Sequence, residues 1–258
     1  ILASRADARA IADQVSIQGL GFEADFGSLS ANANASGVVG GNGNDVLTNL
    51  LAVSVESLAT AQNNNLDIRL VGGGIGSSNS IANARGIGMD GGVGDDTIIN
   101  NLVVNVLSQA RTSTSNTQVS VADVSFLDST RFSISDAIGI SGNRGADTID
   151  NFGLVRAIAD ATLSNSAVSV NLIGGGATDA SLNASAAATG IDGGAGLDVV
   201  TLHESSKTFA IACAAAEYDT GSQVCSPGES NSVTIKLVGG TQTDGDVGFR
   251  SSAHGVDL

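Results

Sequence analysis

Apolar and polar residues alternate in short runs that return along the chain at a fixed distance. Leu51, Val53 and Val55 alternate, as do Leu102, Val104 and Val106, and a spacing of two marks a strand with one buried face. Leu50 and Leu58, and Val103 and Leu107, sit on the opposite parity, which predicts that parts of this segment are covered on both faces. A second group reads LDIRLVGGG from Leu66, VSVADVS from Val119, VSVNLIGGG from Val168 and VTIKLVGG from Val233. Alternation that runs into glycines predicts a strand ending in an abrupt turn. A third group is poorer in large residues: SIANARGIGMD from Ser80, RFSISDAIGIS from Arg131, SLNASAAATGID from Ser181. Its Ala and Ser predict close approach of neighbouring backbones, ending at Gly37, Gly88, Gly139 and Gly190, which are spaced by 51 residues. LVRAIADATL could be read as a helix, but the β-branched residues and the density of Asn, Ser and Thr favour strands.

The same period governs a nine-residue stretch: GGNGNDVLT (residues 40–48), GGVGDDTII (91–99), GNRGADTID (142–150) and GGAGLDVVT (193–201). Closely spaced glycines lead to one carboxylate, Asp45, Asp96, Asp147 or Asp198. Two positions later comes an apolar residue, Leu47, Ile98, Ile149 or Val200, expected to plug a core. The chain therefore reads as a single array over residues 1–258, with a partial repeat at 1–39 and an insertion at about 203–231. That insertion carries Cys213 and Cys225, expected to pair as a disulfide. It also delays the next turn, since GVD at Gly255 to Asp257 follows GID at Gly190 to Asp192 by more than one period. The expected fold is all-β: a β-solenoid of 51-residue repeats with glycine-rich turns. One 51-residue coil has a contour of roughly 170 Å at about 3.3 Å per residue, too wide to fill unless flattened, so two coils per repeat are expected.

Composition sharpens this picture. With 34 Gly and 1 Pro the chain has many turn positions and few breaks in a hydrogen-bond ladder. Its net charge of −15 comes from 21 Asp and 5 Glu against 11 bases. A bias to Asp among Gly and Asn favours turns and oxygen-ligand cation sites, because the short carboxylate folds back on its own turn. The charge argues against nucleic acid or an anionic membrane as partner, and no run of apolar residues is long enough for a membrane-spanning helix. The start at Ile1 without Met suggests a processed product or a piece of a longer polypeptide.

GGNGNDVLT, GGVGDDTII and GGAGLDVVT resemble the GGxGxDxUx nonapeptide of the RTX, or haemolysin-type, calcium-binding proteins. The resemblance implies calcium held between turns by glycine-loop carbonyls and by Asp45, Asp96, Asp147 and Asp198. Gly41, Gly43, Gly92, Gly94, Gly194 and Gly196 would shape those loops. Further oxygens are offered by Asn42 and Asn44, Asp90 and Asp95, and Asp192. Calcium takes about 6 to 8 oxygens, and glycine turns can aim several carbonyls at one point. Two departures stand out. The RTX nonapeptides are directly tandem, whereas here each is isolated by 42 residues, and the third copy has Asn143 at the second glycine position with Arg144 next to it. The rest of the repeat is similar, less specifically, to the Gly/Ala/Thr-rich arrays of large bacterial surface and adhesin-like proteins.

These readings predict an extracellular or cell-surface, calcium-stabilised structural protein without enzymatic activity. It is expected to self-associate by stacking of solenoid ends, with a cell-surface or glycan ligand as a further partner. The alternative is a secreted β-helical polysaccharide lyase or epimerase, for which His203, Glu204 and Lys207 form the one candidate cluster. No regular Thr ladder supports an ice-binding surface.

Overall fold

A computed structural model describes residues 2–214, 216–219, 224–227, 230–238, 241–244 and 247–257. It is all-β, and among the described residues there is no helix. The strands are β1 (Leu2–Asn42), β2 (Val46–Asn49), β3 (Val53–Val93), β4 (Thr97–Asn100), β5 (Val103–Arg144), β6 (Thr148–Asn151), β7 (Leu154–Asp192) and β8 (Val199–Leu202). After them come β9 (Lys207–Ala214), β10 (Ala216–Asp219), β11 (Val224–Pro227), β12 (Ser230–Val238), β13 (Thr241–Asp244) and β14 (Val247–Asp257). The long strands pair in parallel in the order β1-β3-β5-β7, and β9, β12, β13 and β14 complete the edge beyond β7. The short strands form a second parallel sheet, β2-β4-β6-β8. The architecture is that of a parallel sheet curled nearly closed, compatible with a β-helix or solenoid.

The register corrects the expectation of two coils. Leu2 pairs with Val53, Val53 with Val104 and Val104 with Val155, so the chain returns to itself only once between each motif aspartate and the next. The width problem is solved by flattening. Within β5, Ser133 Oγ donates to the Ala110 carbonyl at 2.6 Å and Ser135 Oγ to the Ser108 carbonyl at 2.8 Å. Distant parts of one strand therefore face each other across the interior. A serine side chain spans the gap, which is why this part of the chain is built from Ala and Ser.

The interior changes character along the flattened coil. Near the nonapeptides it is filled by Leu47, Ile98 and Ile149 with Val53, Val104, Val155, Met89, Ile140 and Ile191. Midway it narrows to alanines, among them Ala33, Ala59, Ala61, Ala82, Ala84 and Ala110. Gly88 and Gly139 lie within the first zone, and a Cβ on either would fall on the carbonyl oxygen of the next coil's glycine and on a valine methyl. At the far bend the inside is polar: Asp67, Arg69, Thr112, Thr114, Gln118, Ser120 and Arg131 are all buried.

Two readings of apolar alternation are corrected here. Leu51 and Leu102 are exposed, because the chain is still turning before Val53 and Val103 start the next long strands. In the stretch from Leu66 to Val71 the faces are inverted: Asp67 and Arg69 point inward, and Leu70 and Val71 are exposed. Arg69 Nη2 lies 2.7 Å from Asp67 Oδ2, and Arg69 packs so closely on Gly74 that any side chain there would collide with the guanidinium. The glycines after Val71 thus make room for a buried ion pair as well as a bend.

Past β8 the register slips. Leu154 lies opposite Lys207, where the period of the earlier coils would bring Ser205, and Val168 lies opposite Val233, where it would bring Asp219. The added residues form a turn at His203 to Ser206 and an antiparallel hairpin, β10–β11. Strand β10 of the hairpin packs against β7. Cys213 is buried next to Ile158, and no described cysteine is a free thiol. The side chain of Cys225, its expected partner, lies outside the described residues.

Candidate metal centre

The parallel register does to the nonapeptides what the sequence alone does not: it stacks them. Val46 pairs with Thr97, Thr97 with Thr148 and Thr148 with Val199, so the four turns form one column at the strand spacing of about 4.8 Å. Motifs isolated from one another along the chain become immediate neighbours. Consecutive motif turns are thus one strand spacing apart, where two coils per repeat would put them two apart.

Each turn depends on backbone that glycine adopts readily. Gly41, Gly92 and Gly194 have φ of 104°, 104° and 97°, and Gly43, Gly94 and Gly196 have 110°, 137° and 159°. In the third copy Asn143 keeps the turn in the left-handed region at φ 74°, and its Nδ2 donates to Asp90 Oδ1.

Two ladders of side-chain hydrogen bonds run through the column in opposite directions. The Asp45 amide donates to Asp96 Oδ1 at 2.7 Å, Asp96 to Asp147 Oδ1 at 2.8 Å, and Asp147 to Asp198 Oδ1 at 2.9 Å. One residue earlier, the Asp95 amide donates to Asn44 Oδ1 and the Ala146 amide to Asp95 Oδ1, both at 2.9 Å. Every aspartate carboxylate also rests on the first glycine of its own motif. A Cβ at Gly91 would lie 2.8 Å from Asp96 Oδ2, and one at Gly142 would lie 2.6 Å from Asp147 Oδ2. The first glycine is thus a seat for the carboxylate.

The remaining oxygens carry the chemistry. Asp45 Oδ2, Asp96 Oδ2 and Asp147 Oδ2 are buried and have no hydrogen-bond partner. A buried carboxylate oxygen with nothing to accept from is costly, and a column of them adds mutual repulsion. The Asp147 carboxyl is held above the ordinary aspartate range first by burial and then by the charges of Asp198, Asp96 and Asp95, against the opposing pull of the Asp96 amide. A desolvated, oxygen-only, negative site fits a hard divalent cation. Among the described residues no three acidic, His or Cys side chains converge on one point. A bound ion would therefore take one carboxylate oxygen per turn and draw the rest from main-chain carbonyls.

The other candidates fall in different places. Asn42 is exposed, and Asn44 and Asp95 are exposed on the rim, where they serve the second ladder. Asp192 Oδ1 accepts from the Gly194 amide at 3.0 Å, bracing the fourth turn. His203 stacks on Phe152 with ring centroids 3.6 Å apart, while Glu204 and Lys207 are exposed.

A third ladder lies beside the motif, where the sequence reading places no functional residue. Asn49 Nδ2 donates to Asn100 Oδ1 and Asn100 Nδ2 to Asn151 Oδ1, both at 2.7 Å and both buried. Its signal is in the sequence, since these three asparagines follow the period and each stands four positions after a motif aspartate. The next position is Leu202, and there the ladder ends. Comparison of the chain with protein-family models, curated proteins and solved structures finds no match.

Proposed function

We propose that the chain is a structural rod of the cell surface or extracellular matrix: a β-solenoid with a 51-residue unit, without catalytic activity, stiffened by calcium along its glycine–aspartate corner. The observation that carries this reading is the stacked column of buried carboxylate oxygens without partners at Asp45, Asp96 and Asp147. Calcium there neutralises a line of like charges and ties each coil to the next, so binding energy becomes folding energy. End-to-end stacking of copies and pairing of Cys213 with Cys225 belong to the same reading, the second as a clamp on the inserted hairpin.

Thermal unfolding of the full chain in calcium and in chelator tests it. Calcium at about 100 times its dissociation constant adds about 2.7 kcal/mol per site, a rise of several degrees in Tm. Asp96→Asn removes the charge with little change of shape and is expected to abolish most of that rise. A Tm indifferent to both calcium and chelator, with no heat of binding, refutes the calcium assignment.

A further inference from the structure

At the bend furthest from the aspartate corner, the outward side chains are aliphatic in every coil. Register aligns Leu20, Val71, Ala122 and Ile173 in one row, and Leu70, Val121 and Leu172 lie in the row beside it. Their exposures are 83% for Leu20, 54% for Leu70, 48% for Val71, 37% for Val121, 38% for Leu172 and 59% for Ile173. Together they bare an aliphatic area on the order of 500 Å², more than scattered surface leucines give a monomeric protein.

The inversion behind this stripe makes it more than a by-product of composition. In the second coil Asp67 and Arg69 are buried while their neighbours Leu70 and Val71 face out. Desolvating an ion pair in order to expose two aliphatic side chains costs a lone rod stability on both counts. The arrangement is favourable only if the stripe is covered.

We propose that the stripe is a lateral self-association surface, on which a second copy of this chain lies side by side with the first. Three features select this occupant. The rows repeat at the strand spacing of about 4.8 Å, and a second copy presents the same period to every one of them. A self-complementary patch closes about a two-fold axis, the commonest arrangement of identical chains. The chain carries a net charge of −15, and a stripe of uncharged side chains is where two such rods meet with least repulsion. The exposed area falls short of the ~800 Å² per partner of a standard interface, which makes the contact a weak, reversible one.

The test is sedimentation of the full chain across a concentration series, with and without calcium. The Leu70→Ser, Val121→Ser, Leu172→Ser triple variant is the probe, and Leu50→Ser at the opposite end of the coil is the control. The parent and the control are expected to dimerise alike, more tightly as salt screens the acids, and the triple variant to weaken association at least about tenfold with an unchanged circular dichroism spectrum. A monomeric parent throughout the series overturns the proposal. So does a triple variant that associates like the parent, which is the result end-to-end stacking gives. Capture of a monomeric parent by zwitterionic lipid vesicles also overturns it and assigns the stripe to an apolar surface instead.

Discussion

The two ends of the flattened coil solve the same problem, reversing the chain, with opposite chemistry. At the corner the sequence is polar, Gly, Asn and Asp, yet Asp96 and Asp147 are 1% exposed and the apolar plug beneath them, Ile98 and Ile149, is fully buried. At the far bend the sequence is apolar, yet Leu70 and Val71 are outside and Asp67 and Arg69 inside. The corner ties one oxygen of each of Asp96, Asp147 and Asp198 to the amide of a neighbouring coil and leaves the other oxygen of Asp45, Asp96 and Asp147 without a partner, so its polarity links the coils and creates the demand for a cation. The bend closes its ion pair within one coil, and its apolar residues contribute nothing to the core. Hydrophobicity along the chain therefore reports burial at one end of this molecule and misreports it at the other.

Truncating an aliphatic side chain at each end is expected to give very different losses of stability. Ile98→Ala opens a cavity among Leu47, Ile149 and the valines and is expected to cost about 3–4 kcal/mol. Leu70→Ala, measured at concentrations where the chain is monomeric, is expected to stay within about 0.5 kcal/mol of the parent. Urea unfolding of both variants decides it. Equal losses would mean that the bend is packed against something within the chain itself.

A smaller effect, of opposite sign, is expected inside the bend. Arg131 is 2% exposed, its Nη1 has no hydrogen-bond partner, and burial lowers its guanidinium to about 10. A base whose folded value is depressed makes the fold weaker wherever both states are charged. That penalty lifts only as pH rises through about 10 toward the ordinary guanidinium value. Arg131→Met keeps the aliphatic stem and removes the buried charge, and is expected to stabilise by about 1–3 kcal/mol. The gain should be the same at every pH from about 5 to 9. A destabilised Met variant would show that Arg131 is held by a compensating group.

How much of this is legible in the sequence can be traced residue by residue. The strands, the parallel stacking and the corner turns follow from the spacing of Asp45, Asp96, Asp147 and Asp198, because a fixed period fixes register once strands pair. The number of coils does not follow from contour length, which is blind to flattening, whereas the Ala and Ser that permit flattening are visible at Ala82, Ala84, Ser133 and Ser135. The orientation of Leu66 to Val71 is illegible for a different reason. A period of two says that one face differs from the other and leaves open which is inside, and Gly74 with Arg69 decides that through a contact no pattern encodes. At the corner, the aspartates stand out in the sequence and their amide ladder does not, since that ladder exists only between coils.

The smallest effect concerns the one motif copy that departs from glycine. At Gly92 φ is 104°, and at Asn143, one coil later, it is 74°, so the turn moves toward the left-handed region where asparagine is better tolerated than other side chains. Asn143 also holds Asp90 through its amide, a bond that ties the third turn to the strand below. Asn143→Ala keeps the Cβ strain and loses the bond, for an expected cost of about 1–2 kcal/mol. Asn143→Gly loses the same bond and also the strain, and is expected within about 0.5 kcal/mol of the parent. Chemical denaturation of the pair separates backbone from side chain: if alanine and glycine cost the same, the left-handed turn is not what asparagine is there to serve, and the bond to Asp90 carries the whole effect.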